Sequence, residues 1–202
     1  MTNDEHEPRH ENDGLIRHSS FELRHSAPRV LILFAHPALH RSRMNLAMME
    51  AVRDLEGVTF HDLYEIYPDL HIDVDSEQEL LLKHDVIVWQ HPFYWYSAPA
   101  LLKEWMDVVL EYGFAYGDEG RALHGKKVMS ALTTGGPAEA YQRDGHNRFT
   151  MRELLAPMEQ TAHLCGMEYL EPFILHGVNL LKPAEVETAA ASYRERIQQL
   201  VA

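Results

Sequence analysis

Short apolar runs alternate with helix-like patterns along residues 29–201, and this alternation constrains the fold more than any other feature of the sequence. Three of the runs are almost unbroken, which is typical of strands that are covered on both faces. Strands that alternate with helices form a parallel sheet with helices on both faces, and five strands favour the spatial order 2-1-3-4-5. The predicted strands are residues 29–35, 58–63, 85–90, 127–133 and 169–175.

Polar residues and prolines indicate where the intervening helices begin and end. Ser76, with a glutamate three residues later, predicts a capped short helix that follows a loop over residues 64–75. Ser97 is expected to cap the next helix. Residues 147–165 predict one helix that Pro157 kinks or breaks. The other predicted helices cover residues 45–55 and 183–201.

Charge and composition exclude several classes of protein. The chain has 31 Asp and Glu against 18 Lys and Arg, a formal net charge of −13, whereas nucleic-acid binding needs a basic surface. No uncharged apolar run approaches the length of about 20 residues that a membrane span needs, and the first thirty residues lack the apolar stretch of a signal peptide. Cys165 is the only cysteine, so no internal disulfide can form. We therefore expect a cytoplasmic protein that binds no nucleic acid.

Residues 1–28 differ in composition from the rest of the chain. They hold four histidines among acidic residues and arginines, with few large apolar side chains. Such a segment cannot bury enough surface to offset its ordering entropy, which predicts a flexible or loosely docked arm before a single domain over residues 29–202. A metal-binding tail is the alternative, although the four histidines are spaced irregularly.

The loop over residues 36–45 follows the first predicted strand and opens a helix. Ser42 and Asn45 offer neutral hydrogen-bonding groups there, and Arg43 adds charge. The N-terminus of a helix carries unpaired N–H groups and the positive end of the helix dipole, so this loop suits a phosphate. The loop is neither a Walker motif nor a glycine-rich dinucleotide turn. A polar connection with Ser42 as a helix cap is the alternative interpretation.

Two further loops are expected at the same edge of the sheet, because carboxyl ends of parallel strands lie together. Residues 91–99 hold consecutive aromatic side chains where a solvated loop would be polar, which suits a flat aromatic ligand. The alternative is that these rings seal the loop onto the core or a dimer interface. Residues 133–137 contain paired glycines, which let the backbone approach a ligand closely and present N–H donors.

The three loops together resemble those of a known family. HPALHRSRMN, QHPFYWYSAPALLKEWMD and TTGG, in this order and on these strand ends, are similar to the flavodoxin-like NAD(P)H:quinone oxidoreductases of the DT-diaphorase group. Residues 63–75 and 112–125 also resemble the ancillary oxidoreductases of bacterial glutathione-regulated potassium-efflux systems. The resemblance implies a flavodoxin-like fold, non-covalent FMN or FAD, and two-electron reduction of quinones by NAD(P)H with ping-pong kinetics. FMN is favoured because the chain is short.

The resemblance also implies roles for individual residues. Tyr141 is expected to be the active-site tyrosine and His146 its partner, although His146 lies one position from the expected place. Tyr94 stands where the family often has glutamine. The residues expected to bind the flavin are His36, Ser42, Arg43, Met44, Asn45, Pro92, Phe93, Tyr94, Trp95, Thr133, Thr134, Gly135 and Gly136.

The same resemblance implies partners and leaves an alternative function. A homodimer is expected, with residues 112–116 near the partner's flavin. The alternative function is a regulatory subunit that activates a glutathione-gated potassium-efflux transporter with little turnover of its own. Such a partner would hold the protein at the inner face of the cytoplasmic membrane. A one-electron flavodoxin and a binding module without flavin are weaker alternatives, the former because the first loop lacks the compact flavodoxin phosphate motif.

Overall fold

The computed structural model describes residues 27–202, so residues 1–26 of the predicted arm, and with them the alternative of a metal-binding tail, lie outside the described residues. Its parallel strands follow the order β2-β1-β3-β4-β5, which confirms the predicted flavodoxin-like sheet, and a further strand, β6, also pairs with β4. The strands are β1 Val30–Phe34, β2 Val58–Asp62, β3 Val86–Pro92, β4 Lys127–Thr133, β5 Glu168–Tyr169 and β6 Phe173–Leu175.

The predicted fifth strand is two short strands. β5 pairs with the start of β4, with Glu168 opposite Lys127, and β6 pairs with its end, with Phe173 opposite Ala131. Pro172 lies in the interruption. Proline has no N–H group to donate to a neighbouring strand, which explains why pairing stops and starts again.

Residues 27–202 form seven α-helices and two 3₁₀ turns besides the strands. The helices are α1 Arg43–Val52, α2 Leu63–Ile66, α3 Val74–Leu82, α4 Ala100–Val109, α5 Met151–Leu154, α6 Ala156–Leu164 and α7 Pro183–Val201. The 3₁₀ turns are Leu39–Arg41 and Ala138–Tyr141. None of these helices combines the length and the apolar character that a membrane span requires.

Three expectations about the helix ends were wrong. α3 is capped by Asp73, whose carboxylate accepts from the backbone N of Ser76 at 3.1 Å, so Ser76 lies inside the helix. Residues 64–75 are not all loop, because α2 occupies their start. Ser97 does not cap α4, because this helix begins after Pro99. No side chain of the described residues makes a capping hydrogen bond at its N-terminus.

The predicted break of the helix over residues 147–165 is confirmed, with a later start. α5 begins after Thr150, which forms a capping box with Glu153. The helical path breaks at Leu155, and Pro157 lies in the first turn of α6, where its missing N–H costs nothing.

Alternate residues of β1 serve two hydrophobic cores, one on each face of the sheet. Leu31 and Leu33 pack in the core beneath α3, α4, α5 and α6. Val30 and Ile32 pack in the core beneath α1 and α7. All residues of β1 are buried, as expected for a strand covered on both faces.

A buried carboxylate joins α3 to three other segments of the chain. Glu77 of α3 is only 1% exposed, and it accepts hydrogen bonds from Tyr67 Oη at 2.6 Å and Trp105 Nε1 at 2.8 Å. His61 of β2 lies with its Nε2 2.7 Å from the same carboxylate. Burial raises the pKa of Glu77, but the hydrogen bonds from His61, Tyr67 and Trp105 outweigh it, so the pKa lies below its usual value.

Candidate functional site

Two cavities share a wall at the carboxyl edge of the sheet, where the three loops singled out by sequence meet. The main cavity has a volume of about 530 Å³ and the side cavity one of about 500 Å³, both in the range of small-molecule sites. The main cavity is lined by His36, Ala38, Arg41, Ser42, Arg43, Met44, Asn45, Pro92, Phe93, Tyr94, Thr133, Thr134, Gly135, Val178 and Asn179. The side cavity is lined by Phe93, Trp95, Tyr96, Gly136, Pro137, Ala140, Tyr141, His146 and Asn147.

The predicted site residues divide between these cavities. All residues expected to bind the flavin line the main cavity, except Trp95 and Gly136. Those two line the side cavity together with Tyr141 and His146, the two residues expected to be catalytic. Phe93 lines both cavities, so a ligand ring that passes this side chain would be accessible from the side cavity.

The N-terminus of α1 supplies free N–H groups to the main cavity. Ser42 is the cap, and its Oγ accepts from the backbone N of Asn45 at 3.4 Å. The backbone N–H groups of Arg43 and Met44 donate to no other group in residues 27–202. Together with the positive end of the helix dipole, these groups form an anion-binding position.

Three side chains next to this helix end form a polar cluster in the main cavity. Asn45 Nδ2 donates to Ser42 Oγ at 3.0 Å and to Thr133 Oγ1 at 2.9 Å. Because both hydroxyls accept from Asn45, the proton of each remains available for a ligand. Asn45 is 1% exposed, and its Oδ1 has no partner within the described part of the chain. Buried polar atoms are normally paired, so the unpaired Oδ1 is an exception at the base of this cluster.

Two arginines bring positive charge to the same end of the cavity. Arg41 lines it from the 3₁₀ turn before α1, a residue that the sequence analysis did not single out. The guanidinium of Arg43 donates to the backbone carbonyl of Leu181 at 2.7 Å, which ties it to the loop before α7. Arginine pairs well with phosphate oxygens, so both side chains suit an anionic ligand group.

His36 adds a further donor to the main cavity. Its Nδ1 accepts from the backbone N–H of Ala38 at 3.1 Å, so the proton of the neutral ring is on Nε2. Burial, with a smaller effect from nearby His40, keeps the pKa of His36 below its usual value. The ring is therefore neutral at pH 7 and above, with Nε2–H as a donor.

The glycine turn after β4 presents backbone donors. The hydroxyl of Thr134 donates to the carbonyl of Gly136 at 2.8 Å, and this bond closes the turn. The N–H groups of Gly135 and Gly136 donate to nothing else in residues 27–202. A Cβ atom at Gly135 would lie 3.2 Å from Nδ2 of Asn179, which explains why a larger residue would crowd the cavity wall.

The aromatic loop after β3 has a strained backbone. Trp95 and Tyr96 have φ angles of 50° and 62°, in the left-handed region that costs a bulky residue about 1–2 kcal/mol. A backbone hydrogen bond from Ser97 to the carbonyl of Tyr94, at 2.9 Å, holds the turn. Trp95 is 93% exposed. Strain of this kind is typical of functional sites, and the loop presents a free aromatic surface beside the side cavity.

Tyr141 lies between two aromatic neighbours. Its ring centroid is 6.2 Å from that of Phe93 and 5.3 Å from that of His176. His146, the partner expected from the resemblance, lines the side cavity with Tyr141. The histidine that packs on the ring of Tyr141 is therefore His176, which the sequence analysis did not single out.

A fourth loop, residues 176–179 after β6, completes the site. Val178 and Asn179 line the main cavity beside the glycine turn. The sequence contains a feature that predicts this loop as part of the site. The loop follows the fifth parallel strand, so it reaches the same edge of the sheet, and its sequence is His-Gly-Val-Asn.

Comparison with known proteins agrees with this architecture. Residues 28–201 match the model of the flavodoxin-like fold family. The chain belongs to this family. The match extends over almost every described residue, including all four loops of the site.

Three similar proteins are named for potassium efflux, for a complex with FMN and for quinone reduction. The chain is 48% identical to the glutathione-regulated potassium-efflux system ancillary protein KefG of Pectobacterium carotovorum, over 83% of this chain and 92% of that protein. The crystal structure of general stress protein 14 from Treponema denticola, in complex with FMN, is 41% identical with a TM-score of 0.81, over 86% of this chain and 99% of the other. An NADPH-quinone reductase from P. pentosaceus is 36% identical with a TM-score of 0.76, over 83% and 96%.

Proposed function

We propose that this protein binds FMN in the main cavity and catalyses the two-electron reduction of quinones by NADH or NADPH. The observation that supports this most strongly is the set of unpaired hydrogen-bonding groups around the cavity. These groups are the backbone N–H of Arg43, Met44, Gly135 and Gly136, and the hydroxyl protons of Ser42 and Thr133.

The groups fit the three chemical parts of FMN. The N-terminus of α1, with Arg41 and Arg43, would bind the phosphate. The cluster of Ser42, Asn45 and Thr133 would bind the ribityl hydroxyls, which both donate and accept. The N–H groups of the glycine turn would donate to the carbonyl oxygens of the ring. The T. denticola relative, whose structure contains FMN, supports FMN rather than FAD.

When bound, the flavin supplies a ring that takes a hydride from a reduced nicotinamide and passes two electrons on to a quinone. The chain's own part is binding and orientation. Phe93 separates the two cavities, and Trp95 and Tyr141 line the side cavity with apolar ring surface. We infer that the side cavity holds the nicotinamide and then the quinone in turn, which gives ping-pong kinetics. Tyr141, 7% exposed, would donate a hydrogen bond from its hydroxyl to the negative charge that reduction places on the ring.

We further propose that the enzyme is a homodimer whose second copy covers the aromatic surface beside the site. Trp95 is 93% exposed and Tyr112 is 65% exposed. Aromatic side chains with this exposure are enriched at protein interfaces. A dimer would bring residues 112–116 of one copy towards the side cavity of the other, so that each active site needs both chains.

The experiment is an FMN titration followed by turnover with a benzoquinone. Ser42→Ala removes a hydroxyl from the proposed phosphate and ribityl position, and we expect FMN to bind about tenfold more weakly. Ser192→Ala is the matched control, because its hydroxyl donates to a carbonyl within the exposed surface of α7. Equal FMN affinity of the two variants would contradict the placement of the cofactor. Bound FMN that neither NADH nor NADPH reduces would contradict the proposed activity.

A second candidate function is activation of a potassium-efflux transporter. It is favoured by the 48% identity with the ancillary protein KefG, 92% of which this chain covers. In that case the protein would be held at the inner face of the cytoplasmic membrane by the transporter. Potassium efflux from cells that carry the transporter, with and without this chain, tests the candidate. Efflux that does not change on adding the chain would contradict it.

A further inference from the structure

One histidine joins the walls of the two cavities. His176 follows β6, and its Nδ1 lies 3.2 Å from Oγ1 of Thr134, which lines the main cavity. Its ring centroid is 5.3 Å from that of Tyr141, which lines the side cavity, with a tilt of 40°. His176 lines neither cavity, so its route to a ligand in either cavity would be through Thr134 or Tyr141.

The hydrogen bonds of Thr134 determine which ring nitrogen of His176 carries the proton. A threonine hydroxyl has one proton, and that of Thr134 is donated to the carbonyl of Gly136 at 2.8 Å. Towards His176 the same oxygen can therefore only accept. Nδ1 must carry a proton, and Nε2 of the neutral ring is left unprotonated.

Backbone hydrogen bonds on both sides of His176 fix its position. The N–H of Thr134 donates to the carbonyl of Leu175 at 2.9 Å, and the N–H of Gly177 donates to the carbonyl of Gly136 at 2.9 Å. The N–H of Val178 donates to the carbonyl of Thr134 at 3.0 Å. The loop of residues 176–179 is thus paired with the glycine turn along its length. Gly177, with a φ of 61°, permits the bend that this pairing requires.

We propose that His176 is a positioning residue of the flavin site, which holds the Thr134–Gly136 turn closed through an Nδ1–H tautomer. The turn presents the free N–H groups of Gly135 and Gly136, so its closure determines whether these donors match a ligand. The role towards flavin rests on the function proposed above. The tautomer is a property of the protein without any ligand.

The ring is neutral under ordinary assay conditions. Burial lowers the pKa of His176, and the carboxylate of Glu139, which raises it, is the weaker influence. Tyr141 is the other titratable side chain packed on the ring. At pH 7.5 the neutral ring is therefore the dominant form, and its two tautomers can be distinguished.

The first test is a ¹⁵N–¹H NMR measurement of histidine ring tautomers at pH 7.5 in the protein without flavin. Two other histidines serve as internal references. His84 Nδ1 lies 2.7 Å from the carbonyl of Leu80, which can only accept, so His84 carries its proton on Nδ1. His36 carries its proton on Nε2, because its Nδ1 accepts from Ala38. We expect the His176 signal, assigned by its loss in His176→Asn, to match that of His84. A match to His36 would overturn the proposal.

The second test compares two isosteric variants. The amide nitrogen of asparagine takes the place of Nδ1, whereas that of glutamine takes the place of Nε2. We expect His176→Asn to bind FMN within about twofold of the unmodified protein, and His176→Gln and His176→Ala to bind it about three- to tenfold more weakly. A purely space-filling histidine would be replaced better by the longer glutamine. Equal affinities for Asn and Gln would therefore overturn the positioning role.

The two tests also separate this inference from the proposed function. If the unmodified protein binds no FMN at all, that result contradicts both the proposed function and the role of His176 towards flavin. The tautomer measurement, which needs no cofactor, would then show whether the structural part of the inference stands by itself.

Discussion

The buried carboxylate of Glu77 gives the sharpest prediction about stability. In Glu77→Gln one carboxylate oxygen is replaced by an NH₂ group of the same size. Oε1 accepts from Tyr67 and lies beside Nε2 of His61, while Oε2 accepts from Nε1–H of Trp105. The variant keeps two partners if its oxygen stays at the Oε1 position. Its NH₂ group then meets the indole N–H of Trp105, and two donors cannot bond to each other.

The expected loss of stability follows from the hydrogen bonds that the substitution keeps and removes. An unsatisfied buried donor costs about 1–3 kcal/mol, and the remaining bonds to a neutral acceptor are weaker than those to a charged one. We therefore expect Glu77→Gln to lower the free energy of unfolding by about 2–4 kcal/mol, measured by urea denaturation with tryptophan fluorescence. Glu79→Gln is the matched control: it lies on the same helix, and Glu79 makes only an exposed pair with Lys83, which is worth less than about 1 kcal/mol.

The same substitution changes the pH dependence of stability. The folded-state pKa of Glu77 lies below the ordinary glutamate value of 4.5, so the unfolded chain binds more protons than the folded chain in this pH range. The contribution of the ionised Glu77 carboxylate to the free energy of unfolding is present above pH 4.5 and is lost as the pH falls through the folded-state pKa. The difference in unfolding free energy between the unmodified protein and Glu77→Gln should therefore shrink below pH 4.5. A loss under 1 kcal/mol at pH 7, or a difference that grows in acid, would refute the reasoning.

Two further predictions concern the aromatic side chains of the site. Trp95→Gly removes a bulky residue that has a φ of 50° and little buried surface. We therefore expect the melting temperature of the variant to be unchanged or higher, and its quinone reduction to be slower. A clearly lower melting temperature would show that the backbone strain is absent. Tyr141→Phe should leave FMN affinity within about twofold while slowing flavin reduction in stopped-flow measurements, and an unchanged rate would remove Tyr141 from the mechanism.

The sheet could be predicted from the sequence because its signal is local. The runs at 29–35, 85–90 and 127–133 are apolar enough to identify buried strands one at a time, and the rules of strand connection then leave few orders. The three loops followed from that order. Helix caps were less predictable, because Asp73 and Ser76 are both good capping residues and only the folded backbone selects between them.

What could not be predicted depends on contacts between residues that are distant in the chain. Glu77 has the sequence context of a surface helix, yet its partners His61, Tyr67 and Trp105 come from three other segments. His176 likewise comes into contact with Thr134 only when the loop after β6 pairs with the turn after β4. Short sequence patterns carry no information about such pairings.

The most direct test of the central claim is an anaerobic titration of the FMN-loaded protein with NADH and, separately, with NADPH. Visible absorption reports the oxidised flavin. We expect one equivalent of the preferred nucleotide to bleach it completely with no one-electron radical spectrum, and one equivalent of a benzoquinone to restore it. A stable radical spectrum during the titration, or bound flavin that neither nucleotide bleaches, would contradict a two-electron quinone reductase.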